Sequence, residues 1–147
     1  IPLLFNKNKT APQPWQAIAQ RFCSIGIWRN LYMGLFRKKK ISFIENAGGV
    51  IITKSIYQGT SKLKWFFKEK SVNSSDNGWR AIGDNDTQEY LDNPENSMVV
   101  DFNTLANIEP AVLFVYDMPV GTDLEFCHDH TGKYFVDVNT SSRIKSN

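Results

Sequence analysis

A chain of 147 residues with 41% apolar and 13% aromatic residues suits one domain with a real core and excludes a disordered chain. Its net charge of +2 hides two opposed halves: residues 33–70 hold nine Lys or Arg against two Glu, whereas the stretch from Asp76 to Asp129 holds twelve acidic residues and one basic residue, Arg80. A face built from the second stretch repels nucleic acid and attracts a cationic partner.

No segment reaches the roughly 18 uninterrupted apolar residues of a membrane helix. Ala17 to Phe36 comes closest, but Gln20, Arg21, Arg29 and Asn30 interrupt it, so no membrane partner is expected. Cys23 and Cys127 sit far apart and in no spaced motif, which reads as two reduced thiols of a cytoplasmic protein.

Residues 1–32 differ in composition from the rest. They contain no acidic residue, carry Lys7, Lys9, Arg21 and Arg29, and place Pro2, Pro12 and Pro14 in their first half. The run Met33-Gly34-Leu35-Phe36-Arg37-Lys38-Lys39-Lys40 then reads like a natural bacterial start. Trp28 is encoded by TGG, and an AGG codon for Arg29 would write a ribosome-binding site just upstream of Met33. The expectation is an N-terminal extension over 1–32, read through from upstream sequence, and a domain over 33–147. The amphipathic pattern of Trp15 to Phe36 leaves a packed helix or a secretory signal as alternatives. Without the extension, 13 cations face 15 acidic residues, a net charge of −2.

Along the body, Gly48-Gly49 is a turn and Val50 to Lys54 a β-branched, buried strand. Ser55 to Gly59 reads as a helical turn ended by its glycine. In Leu63 to Glu69, Leu63, Trp65 and Phe67 alternate with Lys64, Phe66 and Lys68, which predicts a half-buried strand. Ser71 to Asn77 is polar and turn-rich. Trp79, Ala81 and Ile82 make a short third strand, with Trp79 facing the core. Thr87 to Leu91 predicts one or two helical turns with Asp86 as N-cap, stopped by Pro94. Ser97 to Phe102 is a strand with Val100 inward, and Asn103 caps a turn that Ile108-Glu109-Pro110 breaks. Ala111 to Tyr116 is apolar throughout, helix or buried strand by pattern alone. Asp117 to Gly121 is a turn, and Thr122–Cys127 and Lys133–Val138 flank a hairpin loop containing Thr131-Gly132. The tail from Asn139 reads as loose. The sum is an α+β single domain with a largely antiparallel sheet of about five or six short strands and a few short helices.

Several of these segments resemble a known bacterial family. Gly48-Gly49-Val50-Ile51-Ile52-Thr53-Lys54-Ser55, Trp65-Phe66-Phe67-Lys68-Glu69, Gly78-Trp79-Arg80, the block Glu89-Tyr90-Leu91-Asp92-Asn93-Pro94-Glu95-Asn96 and Pro119-Val120-Gly121-Thr122 look like immunity-protein family thirty-three of polymorphic toxin systems, formerly a domain of unknown function. The resemblance covers roughly Lys40 to Val138 and leaves residues 1–32 unmatched. It implies an antitoxin that binds a cognate toxin, supplies no catalytic residues, and fits a carboxylate-rich face turned to a basic toxin.

Three clusters invite chemistry. Asp84, Asp86, Glu89, Asp92 and Glu95, with Tyr90 among them, read as a solvated loop, a partner-binding surface or a metal loop. The spacing lacks the central Gly and terminal Glu of an EF-hand, and like charges packed this densely favour a cationic partner, with Tyr90 as an anchor at the edge. Cys127-His128-Asp129-His130 holds metal-ligand types and the only histidines. Alternation sends Cys127 and Asp129 to one side and the histidines to the other, so no metal is expected there. Cys127 or a serine with His128 would make a small hydrolase, but no nucleophile elbow supports one. Gly48-Gly49 lacks the spacing of a phosphate loop, and Arg37 to Lys40 reads as a solvated basic arm. No enzyme activity and no cofactor are expected. The leading reading is a toxin-blocking binding protein, with a non-catalytic regulatory ligand- or protein-binding domain as the alternative.

Overall fold

A computed structural model of the chain describes residues 40–145. The expectations for residues 1–32, and for the basic run Arg37 to Lys39, lie outside the described residues. The run Gly49–Thr53 forms β1 and is buried at every position, as an unbroken apolar sequence requires of a strand covered on both faces. It continues into helix α1 (Lys54–Gln58), which Gly59 ends in the left-handed region at φ 80°. Strands β2 (Leu63–Lys68) and β3 (Asp76–Gly83) follow, then helix α2 (Gln88–Asp92), a 3-10 turn at Pro94–Asn96 and strand β4 (Ser97–Asp101). Helix α3 (Phe102–Ile108) and a 3-10 helix at Pro110–Val115 lead to β5 (Asp123–Asp129), β6 (Gly132–Asp137) and β7 (Arg143–Lys145).

The strands form one sheet of seven in the order β4-β1-β3-β2-β5-β6-β7. The α+β class holds, with seven strands in place of five or six. The added strand comes from the tail, where Arg143, Ile144 and Lys145 pair antiparallel with β6. The sheet is also mixed. β3 returns antiparallel to β2 and slots between β2 and β1, so it runs parallel to β1, while every other pairing is antiparallel. β3 is longer than the short strand expected and is buried from Gly78 to Gly83. Where it enters the sheet, Gly78 takes φ 90°, and a Cβ there would collide with the Glu69 carbonyl. Only glycine allows β2 and β3 to approach so closely.

Both faces of the sheet are covered. On one, Val50, Ile52, Phe66, Trp79, Ala81, Val100 and Leu124 meet Phe102, Leu105, Ala106, Val112 and Val115 from α3 and the second 3-10 helix. Phe66 stacks on Trp79 with centroids 4.2 Å apart and planes 6° from parallel, and Trp79 Nε1 donates to the Tyr116 carbonyl at 3.1 Å. The smaller opposite cluster joins Ile51, Trp65, Phe67 and Ile82 to Leu91 of α2. β2 is therefore buried on both faces rather than on one. Leu63 does not share the face of Trp65 and Phe67: the register shifts between Leu63 and Trp65, and Leu63 packs with Phe66 instead.

Asp101, not Asn103, caps α3, its side chain accepting from the Asn103 amide at 2.8 Å. Asn103 and Asn107, one helical turn apart, hold the segment leading to β1 through its backbone. Asn103 bonds Phe43 N, Ile44 N and Ile44 O, and Asn107 bonds Ile41 N and Ile41 O.

Candidate functional site

The acidic block follows the carboxyl end of β3. Its loop is shaped by Asp86, which turns inward and is 2% exposed. One carboxylate oxygen of Asp86 accepts from Gly83 N at 2.6 Å, three residues back, and the other from Ser55 Oγ at 2.5 Å. Ser55 is the second residue of α1, which follows β1 directly, so Asp86 ties together the segments that leave the two parallel strands. The reading of all five carboxylates as a solvated or partner-binding surface therefore fails for Asp86. A carboxylate that satisfies a buried amide and a buried hydroxyl is committed to the fold. Nor is Asp86 the N-cap of α2: that position belongs to Thr87, whose side chain accepts from Tyr90 N at 3.1 Å.

The remaining residues divide by exposure. Glu89, Asp92 and Glu95 are exposed, on α2 and the turn after it. Asp84 is half-buried and accepts from Lys62 N at 3.0 Å. Tyr90 is half-buried, packed against the cluster around Ile51 and Leu91, at the margin of the acidic surface. Leu91, 1% exposed, is the pin that holds α2 to the sheet and fixes where Glu89 and Asp92 project. Asn93 caps the next turn by accepting from Glu95 N, and Asn96 Nδ2 returns to the Tyr90 carbonyl. The carboxylates thus stand on a short but firmly tied segment. Among the described residues no Lys, Arg or His pairs with Glu89, Asp92 or Glu95.

The hairpin tip is organised differently. His128 and His130 are exposed, while Cys127 is half-buried. Asp129 accepts from Thr131 N and Thr131 Oγ1 and pairs with Arg143 at 3.2 Å. The Thr131 hydroxyl and amide, then Arg143, hold its carboxyl below the ordinary range. Arg143 in turn lies 3.5 Å over the Tyr134 ring. These contacts lock β7 onto the hairpin. Among the described residues no three His, Cys, Asp or Glu side chains converge as metal ligands would.

At the start of β5, burial, and then the nearby Asp137 carboxylate, push Asp123 from the ordinary 3.8 up to about 6. The folded chain then binds a proton more tightly here than the unfolded chain does. Stability from this group falls as pH rises from 3.8 towards 6, and above that the folded chain carries a disfavoured charge. Asp123→Asn is expected to raise the melting temperature by a few degrees at about pH 7.5 and to leave it unchanged near pH 3.5. Thermal melts of the two chains at both pH values check this.

Sequence reasoning missed Arg80, Asp76 and Glu69. Arg80 is fully buried on the second face, its guanidinium held by both Asp76 oxygens at 2.9 Å and by Glu69 at 3.1 Å. Burial raises the Glu69 carboxyl while Arg80 pulls it back down. The signal was the alternation itself, since Arg80 shares the inward face of Ile82 and needs an acid close by.

The fold is thus a mixed-sheet α+β domain that carries an exposed acidic segment on α2 and the turn after it. The chain is a member of the immunity-protein family described as Immunity protein Imm33 domain, whose profile matches residues 50–137, more than half of its length. This is the family that the sequence motifs resemble. Membership gives the chain an immunity-protein role and implies a toxin as its partner. No curated protein and no solved structure matches the chain significantly. Among the described residues no helix is long and apolar enough to cross a membrane.

Proposed function

We propose that this chain neutralises a cognate bacterial toxin by occlusion, in the cytoplasm, through a face formed by Glu89, Asp92 and Glu95 with Asp84 and Tyr90 at its margin. The observation that carries the reading is that the three outer carboxylates are exposed and form no ion pair among the described residues. Apart from the bond that Asp92 accepts from Gln88 Nε2 at 2.8 Å, these like charges add little to the fold, but they raise the encounter rate with a basic surface. A toxin that binds nucleic acid presents such a surface. Covering it removes access to substrate, so the immunity protein needs no chemistry of its own.

The test is the triple substitution Glu89→Lys, Asp92→Lys, Glu95→Lys, which leaves buried Asp86 alone. The melting temperature should stay within a few degrees of wild type. Association with the toxin should slow by about tenfold or more, and the wild-type rate should fall as salt rises. Stopped-flow binding at several salt concentrations, with a cell-protection assay, measures both. Equal protection by the triple variant would move the toxin to another face.

A further inference from the structure

The sheet has two edges, and they are not alike. β7 is three residues long and two of them are cations, Arg143 and Lys145, which is how natural sheets discourage pairing at an edge. β4, at the other end, reads Ser97-Met98-Val99-Val100-Asp101, with neither Lys nor Pro, and Met98 and Val99 are half-buried. Its pairing with β1 fixes which backbone groups face outward. The Phe102 amide donates to the Gly48 carbonyl at 2.9 Å, and Gly49 N turns the other way, to Ser75 on the β3 side. With Val50 opposite Val100 and Ile52 opposite Met98, residues 98, 100 and 102 bond to β1. The N–H and C=O of Val99, and the N–H of Asp101, point away from the sheet. The Ser97 N–H is taken by the Pro94 carbonyl. Among the described residues no strand pairs with β4 on this side.

We infer that the open edge of β4 is a strand-addition site, and that its occupant is an extended, cationic segment of the toxin. The inference rests on the toxin reading and names how that partner docks. Val99 supplies the donor–acceptor pair, and Met98 and Val99 supply apolar contact on either face. Glu95 lies two residues before the strand and continues into Asp92 and Glu89, so a Lys or Arg on the incoming strand meets carboxylates at that end. The β4 strand of a second copy holds no Lys or Arg and would bring no cation opposite the Glu95 end, so self-pairing lacks the charge match that a cationic strand supplies. Steering by the acidic segment and capture by the adjoining edge are then two stages of one encounter.

The probe is the cognate toxin domain, with its activity disabled, titrated against the full chain. In hydrogen exchange, the Val99 and Asp101 amides should exchange fast in the free protein and become protected in the complex. Val99→Pro removes the outward donor without touching a bond to β1, a place where an edge strand accepts proline. It should keep the melting temperature within a few degrees of wild type and lose about tenfold or more in affinity, mainly by faster dissociation. If the wild-type chain binds and protects while those amides exchange equally fast free and bound, the edge proposal fails and the toxin reading survives. If the wild-type chain does not bind the toxin at all, both fall. Protection of the same amides by rising concentration of the chain alone would assign the edge to a second copy and overturn the proposal as well.

Discussion

Trp79→Ala is expected to cost about 3–5 kcal/mol of folding stability. The indole is wholly buried at the centre of β3, stacked on Phe66 and hydrogen-bonded to the Tyr116 carbonyl. Lys68 lies 5.5 Å from its ring and donates to the Met118 carbonyl at 3.0 Å, so the same side chain helps order the turn before β5. Truncation leaves a cavity between two layers and strips a buried carbonyl of its donor. Trp79→Phe separates the two effects: it keeps most of the ring contact and loses the Nε1 bond, for about 1–3 kcal/mol. Urea unfolding at unchanged m-value reads both. A loss below about 1 kcal/mol for the alanine variant would place Trp79 outside the core that holds the two layers together.

The elements that depend on local chemistry were legible in the sequence. β1 is an unbroken β-branched run, Gly59 ends α1, Pro94 stops α2, and Thr131-Gly132 turns the hairpin. Burial of Trp79 and Val100 also followed from their strands, since the observed exposures are 0% and 6%. What depends on distant partners was not legible. The parallel pairing of β1 with β3 arises because β3 inserts beside β1, a matter of sheet order that no local pattern encodes. β7 is three residues with Ile144 between two cations, too short to announce a strand, and it becomes one because β6 offers an edge and Ile144 packs against the main cluster. The apolar run Ala111 to Tyr116 left helix and strand open, and tertiary packing over the sheet set it as 3-10 helix with Phe114 outward.

The acidic block divides along the same line. Charge density marked the segment, and exposure of Glu89, Asp92 and Glu95 agrees with it. Burial of Asp86 depends on Ser55, 31 residues away, and nothing adjacent to Asp86 announces that partner. The bond to Gly83 N was foreseeable, since an Asp three residues after a strand-ending Gly readily bonds back to its amide. β4 shows the converse. Its sequence announced a strand, but only the strand order reveals that one of its sides is open.

Arg80→Met is expected to cost about 3–5 kcal/mol, because it leaves one buried carboxylate, Asp76, and one half-buried, Glu69, without their cation. Asp76 retains bonds from the Val72 and Gly78 amides, whereas the Glu69 carboxylate accepts from Arg80 Nε, the donor this variant removes. Burial already raises the Glu69 carboxyl above the ordinary 4.5, and Arg80 is what opposes that rise. Without Arg80 the folded chain holds a proton on Glu69 to higher pH still, while the unfolded chain releases it near 4.5. The unfolded state then binds fewer protons across that window, so the variant loses stability as pH rises through it. The deficit relative to wild type should therefore be smaller at about pH 5 than at about pH 8. Adding Glu69→Gln to Arg80→Met should recover part of the loss at the higher pH, since it removes an unpaired, half-buried charge. Urea titrations of wild type, the single variant and the double variant at both pH values provide the measurement. A small, pH-independent deficit with no recovery in the double variant would mean that the three charges tolerate one another's loss. The second face of the sheet would then be held by Ile51, Trp65, Phe67 and Leu91 without them.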